Sequence, residues 1–454
     1  MGIRSHQLLL LLLAFTISTT LLLVLSIHVF PDQVADFSGE VMVESERWIL
    51  GETVSTKERL LRKNGYYIHK GDVAFQFINP VEKVGTPEEM NYLNMERFAD
   101  ISGKEILEPL DYDIESIRSP ENPDGYERAS ATIVALARNE DFDELAKTIL
   151  SFEKMFNAKF QYPYTFLNDG TFSDNFKKGM QALSKAQMEF VTIPESLWQM
   201  PPHIDKKKAK QQMNKLSKSG IKYSKDFSVN NMLRFFSGNF YHVPEMKKYR
   251  YYWRIEPKVS FFTELKYDVF KYLQGTGKLY GFSISLYDNP LTVETLWPET
   301  MGFLNEGSNF QYVNKKGSFQ WLTENQQLPG VNAKANGYST CHFWSNFEIG
   351  DMNFFRGEAY SLWFQHLDTT NKFYYERWGD APVHSIGLGL FADKSKIHWF
   401  RDIGYFHYPY YNCPKAENTR GCLPGQFSES LELQDRNCLQ NWIDYSIDNL
   451  NKIY

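Results

Sequence analysis

Charge is missing altogether between Arg4 and Asp32. The apolar stretch inside that gap, residues 8–30, reads LLLLLLAFTISTTLLLVLSIHVF, about long enough to cross a ~30 Å hydrocarbon layer as a helix. It is longer than the core of a cleaved signal peptide, and HVFPDQ after it makes a poor cleavage site. The segment therefore reads as an uncleaved transmembrane anchor. Arg4 precedes it and Asp32, Asp36 and Glu40 follow, which puts the tail 1–7 in the cytosol and the bulk of the chain in a lumen, a single-pass type II topology. A basic excess is also missing. The formal net charge is −6, which argues against a nucleic-acid partner. Cysteines number only four, with no CxxC pair to suggest a zinc site. A luminal location would allow disulfides, and four cysteines permit three complete pairings, which the sequence leaves open. Cys413 and Cys422, flanking a loop with Pro, Asn and Gly, are the first expectation. There is no GxGxxG, no GxxxxGK[ST] and no Asn-x-Ser/Thr sequon, so the dinucleotide and P-loop readings fail and glycosylation sites lend luminal residence no support.

What is present is a globular composition, 43% hydrophobic and 23% charged, over 454 residues. Residues 31–125 read as a partly structured stem, with a helix over 44–65, a strand pair over 66–80 and a linker in IRSPENPDGYER. The pattern sharpens in 126–454. ASATIVALARNED is a buried strand and loop, FDELAKTILSFEKMFNAK has helical spacing, and YPYTFLNDG and MEFVTIP are further strands. This alternation predicts an α/β domain with a largely parallel sheet. Ligands of such sheets sit at the carboxyl ends of strands, where Arg138, Asn168 and Asp169 fall. HIDKKKAKQQMNKLSKSGIKY reads as a basic, solvated helix and SVNNMLRFFSGNFY as another helix and turn.

Three stretches have the composition of a site. YYWRIEPKVSFF reads as a strand with Glu256 and Pro257 in its middle. Proline would end the pairing and turn Glu256 outward, toward a divalent ion or a diphosphate, or Glu256 is a strand-end acid paired with Arg254 or Lys258. In YSTCHFWSNFEIGDMNFFRGEAY, the residues Phe343, Trp344, Phe347 and Ile349 could form one face of a helix. Glu348 among those aromatics is then a general base, a nucleophile or a capped structural acid. The stretch 374–414 holds His384, His398 and His407 beside Asp380 and Asp402, so one histidine is a candidate ligand and the others are structural. The 16% aromatic content suits sugar stacking and equally an aromatic core.

YYWRIEP, CHFWSNFEI, FYYERWGDAPVHSIGL and HWFRDIGYFHYPYYNCP, in that order, resemble motifs of the fungal KTR family of Golgi α-1,2-mannosyltransferases, glycosyltransferase family 15. The resemblance runs from about Ala129 to Tyr454. It implies a GT-A-like nucleotide-sugar-binding fold with a mixed, mainly parallel sheet, a GDP-mannose donor, Mn²⁺, a mannosylated glycoprotein acceptor and retention of anomeric configuration. By motif position Glu256 and His407 look like metal ligands and Glu348 like the catalytic nucleophile. Arg138, Asn168, Asp169, Trp344, Arg377 and Asp380 look like substrate-binding residues. The chain departs from the family pattern at Lys258, where Asp or Asn is usual, at Val229, usually tyrosine, and at Leu233, usually cysteine. The last departure leaves Cys341 without its usual partner. The same resemblance extends to mannosylphosphate transfer and to a membrane-anchored paralogue that assists Golgi glycosylation.

Overall fold

Parallel strands need crossovers, and the first half of the domain supplies them with helices. Strand β1 (Ala131–Leu136) is followed by a helix, α1 (Phe142–Phe152), then β2 (Tyr164–Asn168) and β3 (Met188–Thr192). In α1 the apolar residues Leu145, Ile149 and Phe152 recur at helical spacing and are all buried. Strand β4 (Tyr251–Arg254) then inserts beside β1, and β5 (Ser260–Phe261), β6 (Tyr280–Phe282), β7 (Ser285–Tyr287), β8 (Cys341–Phe343), β9 (Glu348–Asp351), β10 (Ile397–Trp399), β11 (Tyr405–His407) and β12 (Tyr410–Asn412) complete the set. The main sheet has seven strands in the order β10-β6-β9-β4-β1-β2-β3. Its pairs are parallel except the two made by β9, which runs antiparallel to both β4 and β6. Two smaller antiparallel sheets, β12-β11-β5 and β7-β8, flank it.

The computed structural model describes residues 86–106 and 112–447. These belong to the compact unit Gly65–Tyr454. The apolar segment 8–30 and the helix and strands expected over 44–80 lie outside the described residues, among which no helix is long and apolar enough to cross a membrane.

Reversal of β9 has a direct consequence. Its first residue, Glu348, stands at the carboxyl ends of β4 and β6, opposite Arg254 on one side and Phe282 on the other. Directly paired residues share a face, so Arg254 and Glu348 project together, with Tyr252 and Tyr280 further along the same face. Gly350 is required there: a Cβ would lie 2.6 Å from the Tyr252 ring. Helices α2 (Phe227–Ser237) and α3 (Asp380–Phe391) belong to the same assembly; every residue of α3 is buried, and Asp380 and His384 one turn apart share a side of it.

Two expectations change. CHFWSNFEI is not a helix. It forms β8, a turn over 344–347 and the start of β9. The run is apolar and buried on both faces, so its residues carry no period by which a strand could be told from a helix. Cys341, which the family pattern left without a partner, is bonded to Cys438, while Cys413 and Cys422 are bonded as expected. Within the segment read as stem, Pro87–Gly103 is a helix that starts in a Thr86/Glu89 capping box. Its buried Asn94 bonds Gln327 and Asn441, and Phe98 meets Phe427 edge-on, so this helix packs on the domain. The linker is anchored too: the Tyr126 hydroxyl donates to Asp268 at 2.9 Å.

The two disulfides close chain segments of 97 and 9 residues. Loop-closure entropy predicts that removing Cys341–Cys438 with paired serines costs about 2 kcal/mol more than removing Cys413–Cys422. Denaturant unfolding of the two double variants checks this; a smaller loss for Cys341→Ser/Cys438→Ser would show that the long loop is already restrained in the unfolded chain.

Candidate functional site

A cleft of about 260 Å³ opens at the carboxyl edge of β1 and β4, lined by Arg138, Asp141, Asp169, Trp198, Val229, Arg254 and Glu256, among others. Arg138 and Asp169 meet there as a two-pronged ion pair, at 3.2 and 3.0 Å. The hydrogen bond to Asp169 is the main reason the Arg138 guanidinium holds its proton more tightly than usual. Asn168, expected beside them, is buried and turned to the backbone: its Oδ1 accepts from the Gly170 amide at 3.0 Å, shaping the loop that presents Asp169.

Glu256 leaves the sheet because β4 ends at Arg254 and Pro257 cannot donate to a ladder. Its two oxygens differ. Oε1 accepts from Arg254 Nη2 at 2.5 Å, while Oε2 stands 3.7 Å from His407 Nε2. His407 Nδ1 lies 3.1 Å from the Tyr408 carbonyl, which can only accept. Nδ1 therefore donates to that carbonyl, and Nε2 is the nitrogen that faces Glu256 Oε2. A carboxylate oxygen and an imidazole nitrogen facing one another suit a borderline divalent ion such as Mn²⁺, and the carbonyl behind Nδ1 fixes the tautomer a ligand needs. Among the described residues no cluster of three or more such side chains forms, so the remaining positions on an ion would fall to substrate and water. Lys258 is exposed at φ +68 and, among the described residues, forms no ion pair with Glu256. The residues present thus fit the ion. Trp344 sets its ring edge-on to both His407 and Tyr410, at 5.0 and 5.2 Å.

Behind Glu256 lies a buried charge cluster centred on Arg254, whose side chain is 4% exposed. Besides Glu256, its Nη1 donates to Asp380 Oδ2 at 2.6 Å and lies 3.7 Å from Glu348 Oε1, and its guanidinium stacks on Phe236 at 3.7 Å. Burial works against the charge of Arg254, but Glu256, Asp380 and Glu348 outweigh it and raise its affinity for the proton. Burial likewise opposes ionisation of Asp380, and Arg254, then His384, overcome it and hold that carboxyl below the usual range. Ser345 adds a 2.9 Å bond to Asp380. Glu348 is 0% exposed. Its Oε2 accepts from the Tyr280 hydroxyl at 3.0 Å and faces His384 Nδ1 at 2.9 Å. Its Oε1 has no hydrogen bond among the described residues. Arg377 is half-buried with positive φ; burial lowers its hold on the proton, against the charges of Asp288 and Asp380.

Most of the residues singled out in the sequence therefore converge, in two layers, while Asn168 turns to the backbone and His398 and Asp402 meet Tyr272 and Tyr267 instead. Arg138, Asp169 and Glu256 line the cleft, with His407 and Trp344 at its edge. Asp380 and Glu348 lie in the interior, joined to the cleft by Arg254. Of the connecting residues, Arg254 was read from the sequence as one possible partner of Glu256, and that pairing forms; its reach to Asp380 and Glu348, and the pairing of His384 with Glu348, were not. An arginine two positions from Tyr252 in an otherwise apolar strand was the available signal for Arg254, and the four-residue spacing from Asp380 was the signal for His384.

Removing the cation should strand the two interior carboxylates. Arg254→Met is expected to cost about 3–5 kcal/mol of stability, and Arg254→Met with Asp380→Asn less than that, by denaturant unfolding. Equal losses for the two variants would mean that Asp380 does not depend on Arg254.

The described residues match the glycolipid 2-alpha-mannosyltransferase family over residues 87–447. A probable mannosyltransferase of Saccharomyces cerevisiae, KTR4, is 45% identical over 80% of this chain and 78% of its own length. The alpha-1,2 mannosyltransferase KTR1 of the same yeast is 42% identical over 64% of this chain and 72% of its own. The solved structure of S. cerevisiae Ktr4p in complex with GDP superposes with a TM-score of 0.80 at 42% identity, covering 85% of this chain and 100% of that one. The Mn/GDP form of core-mannan synthase A from Aspergillus fumigatus gives 0.72 at 44% identity, over 74% and 93%. With a mixed, mainly parallel sheet and a site at its carboxyl edge, this chain belongs to the glycolipid 2-alpha-mannosyltransferase family and is a glycosyltransferase.

Proposed function

We propose that the chain is a retaining α-1,2-mannosyltransferase. It takes GDP-mannose in the cleft between Arg138 and Glu256 and passes mannose to mannose residues of N-linked or O-linked glycans on glycoproteins and cell-wall mannan. The observation that carries this reading is the facing pair of ligand atoms, Glu256 Oε2 and His407 Nε2, 3.7 Å apart beside a cleft lined by Arg254 of the buried cation–carboxylate cluster. Relatives solved with GDP, and with Mn and GDP, support the donor and the ion. Bound by Glu256 and His407, Mn²⁺ would neutralise charge on the leaving diphosphate. The Oε2 of Glu256, turned toward His407, supports this role although Lys258 lies two positions on in sequence.

Retention constrains what Glu348 does. A covalent route needs an open carboxylate oxygen to bond the anomeric carbon. Electrostatic stabilisation of an oxocarbenium-like centre needs the negative charge nearby but no open path. The complete burial of Glu348 favours the second role. In that route the bond from C1 to the GDP oxygen breaks and its electron pair stays on the phosphate. The acceptor hydroxyl oxygen bonds C1 on the same face, and its proton passes to the departing phosphate oxygen. The acidic flank and apolar run of residues 8–30 support a site of action at the Golgi membrane, anchored once, with the catalytic domain in the lumen.

Incubation of the full-length chain with GDP-mannose and α-methyl mannoside or mannobiose tests the reading. GDP release with a new α-1,2 bond, lost with EDTA and restored by Mn²⁺, is the expected outcome. Glu256→Ala and Glu348→Gln should each lower turnover by about 100-fold or more. Release of GMP with a phosphodiester product would replace this reading by mannosylphosphate transfer, and absence of any GDP-mannose turnover would overturn both.

A further inference from the structure

His384 is wholly enclosed, and both of its ring nitrogens face oxygen. Nε2 lies 2.8 Å from the Phe236 carbonyl and 3.1 Å from the Tyr241 hydroxyl, whose own hydrogen can turn to the Tyr252 oxygen at 3.3 Å, and Nδ1 lies 2.9 Å from Glu348 Oε2. A carbonyl oxygen only accepts, so Nε2 carries a hydrogen. A neutral ring would then turn the Nδ1 lone pair toward the lone pairs of a carboxylate. The alternative, a proton on Glu348, has little to hold it: among the described residues Oε1 has no hydrogen-bond partner and faces the donor Arg254 Nη1 at 3.7 Å, and Oε2 already receives the Tyr280 hydroxyl. A proton between Oε2 and Nδ1 satisfies both of these atoms when it sits on the nitrogen.

We propose that His384 is a positioning residue for mannosyl transfer: an imidazolium clamped between the Phe236 carbonyl and Glu348, it holds Glu348 as a carboxylate with Oε1 left free of hydrogen bonds. The proposal rests on Glu348 serving the reaction as a charged group. Charge balance agrees with it. The imidazolium and Arg254 set two cations against Glu348, Asp380 and Glu256, which leaves one net negative charge for a metal ion at the cleft side, where Glu256 stands. Every other titratable group around the ring keeps one charge state. Tyr241, Tyr252, Tyr280 and Tyr360, from four separate elements, are all held well above the usual phenol range, first by burial and then by neighbouring acid or phenol groups. Asp380, on the same helix, is held ionised by Arg254 against its burial. Burial alone would strip the proton from His384; the Glu348 charge and its hydrogen bond outweigh that and raise its affinity.

The sign follows. A histidine with raised affinity is protonated below its folded-state value, so the clamp holds at neutral and mildly acidic pH and fails as pH rises through that value. The wild-type turnover number of the full-length enzyme should therefore fall on the alkaline side. His384→Asn keeps a donor toward Glu348 but no charge and no titration. It should lose the alkaline fall and move the acid limb of the turnover number up by about one pH unit or more, a tenfold loss below it, with donor KM unchanged. His384→Gln serves as the second variant if the first does not fold, as judged by circular dichroism, and nitrogen NMR of 15N-histidine-labelled wild type should find one buried ring with both nitrogens protonated at neutral pH. A uniform drop with an unmoved pH profile, or a buried ring with one bare nitrogen, overturns the proposal. Glu348→Gln run beside them separates the premises. Unaltered turnover there removes the role of Glu348 itself, whereas a dead Glu348→Gln with a wild-type profile in His384→Asn removes only the clamp.

Discussion

Arg254 is the interaction on which the rest of the site depends. One guanidinium, stacked on Phe236, contacts Asp380 and Glu256 and lies near Glu348. Three carboxylates so close together would repel one another, and burial opposes the charge of Asp380. The cation makes it feasible to keep them charged in an aromatic interior, and it lets Glu256 use one oxygen for the interior and offer the other to the cleft. The layered arrangement follows: ligand atoms on the cleft side, charge compensation behind.

The second constraint is topological. In an all-parallel sheet the residue beginning a strand stands at the far edge from the ligand. β9 runs against β4 and β6, so its first residue, Glu348, arrives at the carboxyl edge where β4 delivers Arg254. Tyr280 reaches the same carboxylate diagonally across the pair, and Gly350 leaves room for the Tyr252 ring. The aromatic wall around this cluster excludes water, which strengthens each charged contact within it and makes each unpaired atom costly.

Several parts of this arrangement were legible before any coordinates. A buried apolar run, a helical period and two more strands announced the parallel half of the sheet, and with it the carboxyl-edge position of Arg138 and Asp169. The proline after Glu256 announced a strand end. Other parts had no local signal. Cys341 and Cys438 are 97 residues apart, and their pairing depends on where β8 and the last helix come to rest. The stretch 341–351 looks alike as a helix or as two strands that join different sheets, because burial on both faces erases the period. Asn168 sits where a ligand-binding residue would, yet only the loop geometry shows its side chain turned back to the Gly170 amide.

The sequence by itself determined which residues carry charge into an aromatic interior, where the first strands end, and which family of motifs they compose, because these depend on neighbours within a few positions. Only the tertiary structure decided that Arg254, Glu348, Asp380 and His384, spread over some 130 residues, form one buried cluster of two hydrogen-bonded pairs joined by a 3.7 Å ion contact, and that Glu256 Oε2 and His407 Nε2 face each other. The reason is physical: a strand's direction and a side chain's partner are set by the packing of distant segments, and no local period encodes either.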